Sequence, residues 1–239
     1  MRHNQVSTFV GQDHTVGMLM QSLRMNDQRN ADESLILDVL ATEEKRTIST
    51  RVLKIISDNV RIPVTVGGGI HSLDTAKSYI NLGADKICLN SVIINDIRRL
   101  SEFTSSLGSQ AIVVNVDYRW VGARPHVFDY RKKSILNLNF AKYIAEIMER
   151  GAGEIIFSCV EKDGSLSGFD YKMIEYLEKL NVSIPIIISG GGGNPDHFLR
   201  ALGSNPSAAA GGTIFSLTEH TPQTLRKVCQ LNGLPMRVL

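Results

Sequence analysis

A chain of 239 residues, 43% of them hydrophobic, is long enough to bury one sizeable core and falls in the usual range of a single α/β barrel. Its 26 Lys and Arg against 24 Asp and Glu leave a formal charge of +2, with no basic stripe interleaved with aromatics, so electrostatics give no case for nucleic acid or an anionic membrane as partner. No apolar stretch approaches the roughly 20 residues that cross a bilayer, and the start Met1-Arg2-His3-Asn4-Gln5 is too polar for a signal-peptide core.

Short apolar runs at 35–40, 64–66, 87–89, 111–116, 155–159, 184–188 and 208–214 read as strands covered on both faces, because their hydrophobicity is continuous and not alternating. Between them, segments such as 72–82 and 140–150 have helical spacing. Strands alternating with helices imply a parallel sheet. The string Ile62-Pro63-Val64-Thr65-Val66-Gly67-Gly68-Gly69 recurs about 122 residues later as Ile184-Pro185-Ile186-Ile187-Ile188-Ser189-Gly190-Gly191. The expected architecture is therefore one domain over 1–239, a (β/α)8 barrel of the TIM type built from two half-barrels, about 1–108 and 109–239. The repeat gives the strand at 111–117 no partner in the first half, so a first strand is missing, truncated or replaced by residues 5–10.

Glycine triplets after barrel strands let backbone N–H groups approach an oxyanion, and a following helix N-terminus favours negative charge. Gly67-Gly68-Gly69 with Asn90 and Ser91 forms one expected phosphate site, and Gly190-Gly191-Gly192-Gly193 with Asp163-Gly164 and Gly212-Thr213 a second. Two such sites imply a ligand with a phosphate at each end. Between them Asp38, Asp117 and Asp163 are expected at the barrel mouth, with Asp117 the best general acid/base candidate because it closes an apolar run. At the other end of the strands Glu33, Lys86 and Glu154 would ring the bottom, a pattern that by itself reads as a solvated or salt-bridged set. The run Arg131-Lys132-Lys133 reads as a solvated loop that, at the mouth, could close over a phosphate. None of the six histidines pairs with another or with cysteine at a metal-ligand spacing, so neither a metal nor a cofactor is expected. Cys88, Cys159 and Cys229 lack CxxC spacing and read as buried free thiols of a reducing cytoplasm.

The blocks Leu37-Asp38, Pro63 through Ile70, Gly83-Ala84-Asp85-Lys86, Asn90-Ser91, Gly151-Ala152-Gly153-Glu154-Ile155, Lys162-Asp163-Gly164 and Ser189-Gly190-Gly191 resemble the cyclase subunit of imidazole glycerol phosphate synthase. The resemblance runs from about Gly17 onward. It implies a lyase that uses ammonia from a glutaminase partner, in a heterodimer, to convert a ribulose-type bisphosphate into imidazole glycerol phosphate and an aminoimidazole carboxamide ribotide in histidine biosynthesis. It further implies that Gly69, Asn90 and Ser91 hold one phosphate and Gly164, Gly191, Gly212 and Thr213 the other, that Asp117 is the acid/base, that Glu33, Lys86 and Glu154 gate the ammonia entrance, and that Asp85 lies on the docking face. The sequence also departs from the family. The family's second catalytic Asp and its gate Arg lie on the first strand, which has no counterpart here; Leu136-Asn137 replace a Thr-Gly pair, and Tyr118-Arg119 replace a small residue and a Lys after Asp117. A second reading is a non-catalytic ammonia-channel subunit serving an amidotransferase of surface-polysaccharide sugars, toward which Ala41-Thr42-Glu43 points.

Overall fold

The apolar runs become parallel strands in the computed structural model, which describes residues 5–9 and 13–237. A hairpin comes first, β1 (Gln5–Phe9) and β2 (Asp13–Met18), then α1 (Leu19–Gln28), β3 (Ser34–Leu37), α2 (Thr50–Asn59), β4 (Val64–Gly67), α3 (Leu73–Asn81), β5 (Lys86–Leu89), α4 (Ser91–Asn95) and α5 (Arg99–Leu107). There follow β6 (Ile112–Val121), β7 (Arg124–Asp129), β8 (Ser134–Ile135), α6 (Phe140–Glu149), β9 (Glu154–Cys159), α7 (Tyr171–Leu180), β10 (Ile186–Ser189), α8 (Pro195–Leu202), β11 (Ala208–Ala210), α9 (Thr213–Leu217) and α10 (Pro222–Leu231).

Seven strands in the order β11-β10-β9-β6-β5-β4-β3 make one parallel sheet, and apart from β7 and β8 the chain neighbours are sheet neighbours. This curled, helix-covered sheet is a TIM-type β/α barrel. Parallel strands deliver all their C-terminal loops to one rim, where sites of this fold collect. Period-two alternation sorts the apolar side chains. Cys88, Val113 and Ile156, with Leu37 and Ile187, form a small cluster inside the barrel. Their strand neighbours Ile87, Ile112, Val114, Ile155, Phe157 and Ile188 face outward and join the main core beneath the helices. Helix starts are fixed by side-chain caps, Asn139 Oδ1 accepting from Lys142 N at 3.0 Å and Asn194 Oδ1 from His197 N at 3.0 Å.

Phe157 is fully buried and packs 6.3 Å from the Phe140 ring. Phe157→Ala is expected to cost about 3 to 5 kcal/mol, read as a lower urea midpoint at unchanged slope.

The structure differs from the sequence expectation at several points: the run 35–40 is strand only to Leu37, and β7 and β8 fall on no expected run. The 5–10 stretch does not enter the parallel sheet: β1 pairs antiparallel with β2, from Gln5↔Met18 to Phe9↔Asp13, while Val10 lies outside the described residues. Two β-branched segments close in sequence satisfy each other's backbone at a small loop-closure cost. The run 208–214 is strand only over Ala208–Ala210; Gly211 and Gly212 break it, and Thr213 starts α9. Asp117 does not end its strand, because β6 runs on to Val121 and, beyond the barrel, pairs with β7 from Tyr118↔Val127 to Val121↔Arg124.

Candidate active site

Both glycine turns stand on the C-terminal rim, after β4 and β10. Gly69 adopts φ +66° and Gly191 φ +98°, backbone that L side chains rarely take. A Cβ on Gly191 would also strike the Gly168 carbonyl. On the second side, Asp163, Gly164, Ser189, Gly191, Gly212 and Thr213 line one polar recess of about 30 Å³. That space holds no more than a few waters, so an anion would lie across its open side. Both α4 and α9 are only five residues long. Their dipoles are correspondingly small, and Thr213, the first residue of α9, lines the recess with its side chain buried.

On the first side the donors are shared. Asn90 Nδ2 donates to Asp117 Oδ2 at 2.6 Å, which ties the residue before α4 to the acid. Ser91 is half-buried at the first turn of α4. His71 Nδ1 donates to the Gly69 carbonyl at 2.9 Å and braces the turn from outside.

Asp117 faces the barrel interior and is 8% exposed. Asn115 Nδ2 donates to its Oδ1 at 3.0 Å, and Asn115 is itself oriented by the Ser158 hydroxyl at 2.8 Å. Burial pushes the Asp117 carboxyl up to about 6, against the two asparagine donors that favour its charged form, and the charges of Asp163 and Asp129 push the same way as burial. A carboxyl poised near neutrality can both take and return a proton. Desolvation likewise raises Asp163. Asp38 is placed differently: it is buried and ion-paired to Arg46, with a second contact from Arg46 Nη2 to Oδ1 at 3.1 Å. Arg46 also pairs with Glu44, so Asp38 lies at the rim in a carboxylate–guanidinium–carboxylate triad.

Tyr118 points outward, where its hydroxyl donates to Asp170 at 3.0 Å and its ring meets Phe140 edge-on at 6.4 Å. The bulk that follows Asp117 is thus absorbed in the helix layer, clear of the mouth. Arg131 donates to both oxygens of the buried Asp129, at 2.9 and 2.7 Å. This pairing outweighs burial and holds the Asp129 carboxyl below its ordinary range. Asn115, Asn90 in its amide role, Arg46 and the Asp129–Arg131 pair were not singled out from sequence in these roles. Asn115 was reachable, since two residues before Asp117 on a strand is the same face; Arg46 reaches Asp38 through an irregular loop that leaves no periodic signal.

At the opposite end Lys86 Nζ donates to Glu33 at 3.0 and 3.1 Å and to Glu154 at 2.7 Å, which joins the starts of β3, β5 and β9. Burial pushes the Lys86 ammonium down, yet the two carboxylates outweigh it and the net shift is upward. Asp85, beside this triad, accepts from Val64 N at 2.7 Å.

A TIM-type barrel with a glycine-lined recess and a desolvated carboxyl on one rim, and a charged triad at the other end, defines a β/α-barrel enzyme. Residues 10–221 match the family described as histidine biosynthesis protein, and the chain belongs to it. It is 34% identical to imidazole glycerol phosphate synthase subunit HisF of Thermotoga sp. (strain RQ2) over 207 residues, 87% of this chain and 81% of that one. The corresponding subunit of Thermococcus onnurineus is 32% identical, covering 90% and 85%, and that of Helicobacter hepaticus 36%, also covering 90% and 85%.

Proposed function

We propose that this chain is a lyase of the imidazole glycerol phosphate synthase cyclase type. Its substrate is a ribulose-type bisphosphate, and its nitrogen source is ammonia produced by a glutaminase subunit docked at the barrel bottom around Asp85. The observation that carries the reading is the recess joining Gly164, Gly191, Gly212 and Thr213 on the same rim as the buried acid Asp117.

One phosphate lies against that recess and the other against Gly69, Asn90 and Ser91, which stretches the ligand across the mouth. Asp117 Oδ1 and Oδ2 then face the middle of the ligand, where ammonia is added and the ring closes. As the carboxylate it withdraws a proton from the incoming nitrogen; as the acid it returns one to the leaving portion. Asn90 and Asn115 fix both oxygens. Asp163 borders the second phosphate, and its raised affinity for a proton lessens its repulsion of the anion. Ammonia enters past Glu33, Lys86 and Glu154. Three buried free thiols fit a reducing, cytoplasmic setting.

The test is turnover of the bisphosphate with an ammonium salt, monitored by release of the two products; a folded, anion-binding protein that releases neither rules the reading out. For the gate, Lys86→Met is expected to leave ammonium-driven turnover in place while glutamine-driven turnover with the partner subunit falls at least about fivefold. Equal loss in both assays would remove Lys86 from the ammonia route.

A further inference from the structure

We infer that the β6–β7 hairpin is a strap that sets the spacing of the two anion cradles, with Arg131 and Arg119 as positioning residues at its two feet. This rests on the reading of two cradles given above and adds to it what holds them in register.

The hairpin grows from the strand that carries Asp117 and leaves the barrel after Tyr118. One foot lies at Arg131. Its Nε and Nη2 grip Asp129, while Nη1 donates to Asn95 Oδ1 at 2.9 Å. Asn95 is the last residue of α4, whose first residue is Ser91 of the first cradle. The other foot lies at Arg119, whose Nε donates to Glu161 at 3.0 Å and whose guanidinium sits 5.2 Å over the Phe128 ring. Glu161 stands two residues before Asp163 in the loop that lines the second cradle. The middle is anchored outward: Trp120 Nε1 donates to Asp170 at 2.6 Å, and Lys172 Nζ lies 3.6 Å over the Trp120 ring.

A hairpin hydrogen-bonded along its length is stiff compared with a loop, so ties at both feet transmit the position of one cradle to the other. A lone phosphate needs only one cradle and does not sense the spacing. A bisphosphate needs both at the right separation, where a small misplacement is costly.

The test uses Asn95→Ala and Glu161→Ala, each of which removes an acceptor from an exposed foot without touching Asp117 or a cradle residue. Calorimetric titrations with ribulose bisphosphate and with inorganic phosphate are compared with wild type. Each variant is expected to bind the bisphosphate about fivefold more weakly with phosphate affinity and melting temperature unchanged, and Asn95→Asp, which keeps an acceptor for Arg131, is expected to restore binding. Wild-type bisphosphate affinity in both variants overturns the strap and leaves the two-cradle reading standing. Wild-type protein that binds the bisphosphate no more tightly than phosphate overturns both.

Discussion

Asp117→Asn is expected to lower kcat by about a hundredfold to ten-thousandfold, the span typical of removing a positioned acid or base, while making the protein more stable near neutral pH. The second half follows from linkage. The folded carboxyl titrates at about 6, above the about 3.9 of an unfolded Asp. Between those values the folded state binds the extra proton. Stability therefore falls as pH rises from about 4 to about 6, and above that the full cost, up to about 3 kcal/mol, is in place. An amide carries no such charge, but it turns an N–H₂ toward donors Asn90 and Asn115 at every pH, so the expected gain of about 1 to 2 kcal/mol at pH 8 becomes a loss of about the same size at pH 4. Urea melts at the two pH values measure it. In the wild type, the limb of kcat/KM that reports the base should rise through about pH 6. A flat profile across that range would take the proton-transfer role away from Asp117.

Gly191→Ala carries the other large effect. At φ +98° the new side chain is strained, and its Cβ drives into the Gly168 carbonyl. Gly168 N donates to Gly191 O at 2.7 Å, so the collision falls on the contact that shapes the recess. The expected cost is about 2 to 4 kcal/mol in urea unfolding, with phosphate affinity down at least about tenfold. An alanine variant of full stability and affinity would mean that the turn is not the cradle.

Much of the barrel is legible in the sequence because strands covered on both faces leave continuous apolar runs, and those at 64–66, 87–89, 155–159 and 184–188 each fall on an observed strand to within two residues. Where the apolar run crosses an element boundary the signal fails. Ala208 to Ala210 and Ile214 look alike in hydrophobicity, yet two glycines between them turn strand into helix. The hairpin is illegible for the opposite reason: Arg119, Arg124 and Asp129 interrupt the pattern, and the pairing of β6 with β7 depends on cross-strand contacts that no periodicity encodes.

The site divides the same way. Glycine turns and strand-end charges are local features, so the Gly164, Gly191, Gly212 and Thr213 group and the Glu33, Lys86 and Glu154 triad were visible as sets before the structure brought each together. The ion pair of Asp38 with Arg46 and the latch of Arg131 onto Asn95 join loops that only the fold places side by side. Departures from the family sequence are also easier to weigh in space. Tyr118, which replaces a small residue, is turned to Asp170 and away from the acid beside it.

A crystal structure of the protein with ribulose bisphosphate bound would test the two-cradle arrangement most directly. The expected density is a single ligand across the mouth, one phosphate within hydrogen-bonding distance of the Gly164, Gly191 and Gly212 amides, the other at Gly69 and Ser91, and its central carbons opposite Asp117. Density with both phosphates on one side of Asp117, or away from the C-terminal rim altogether, would contradict it.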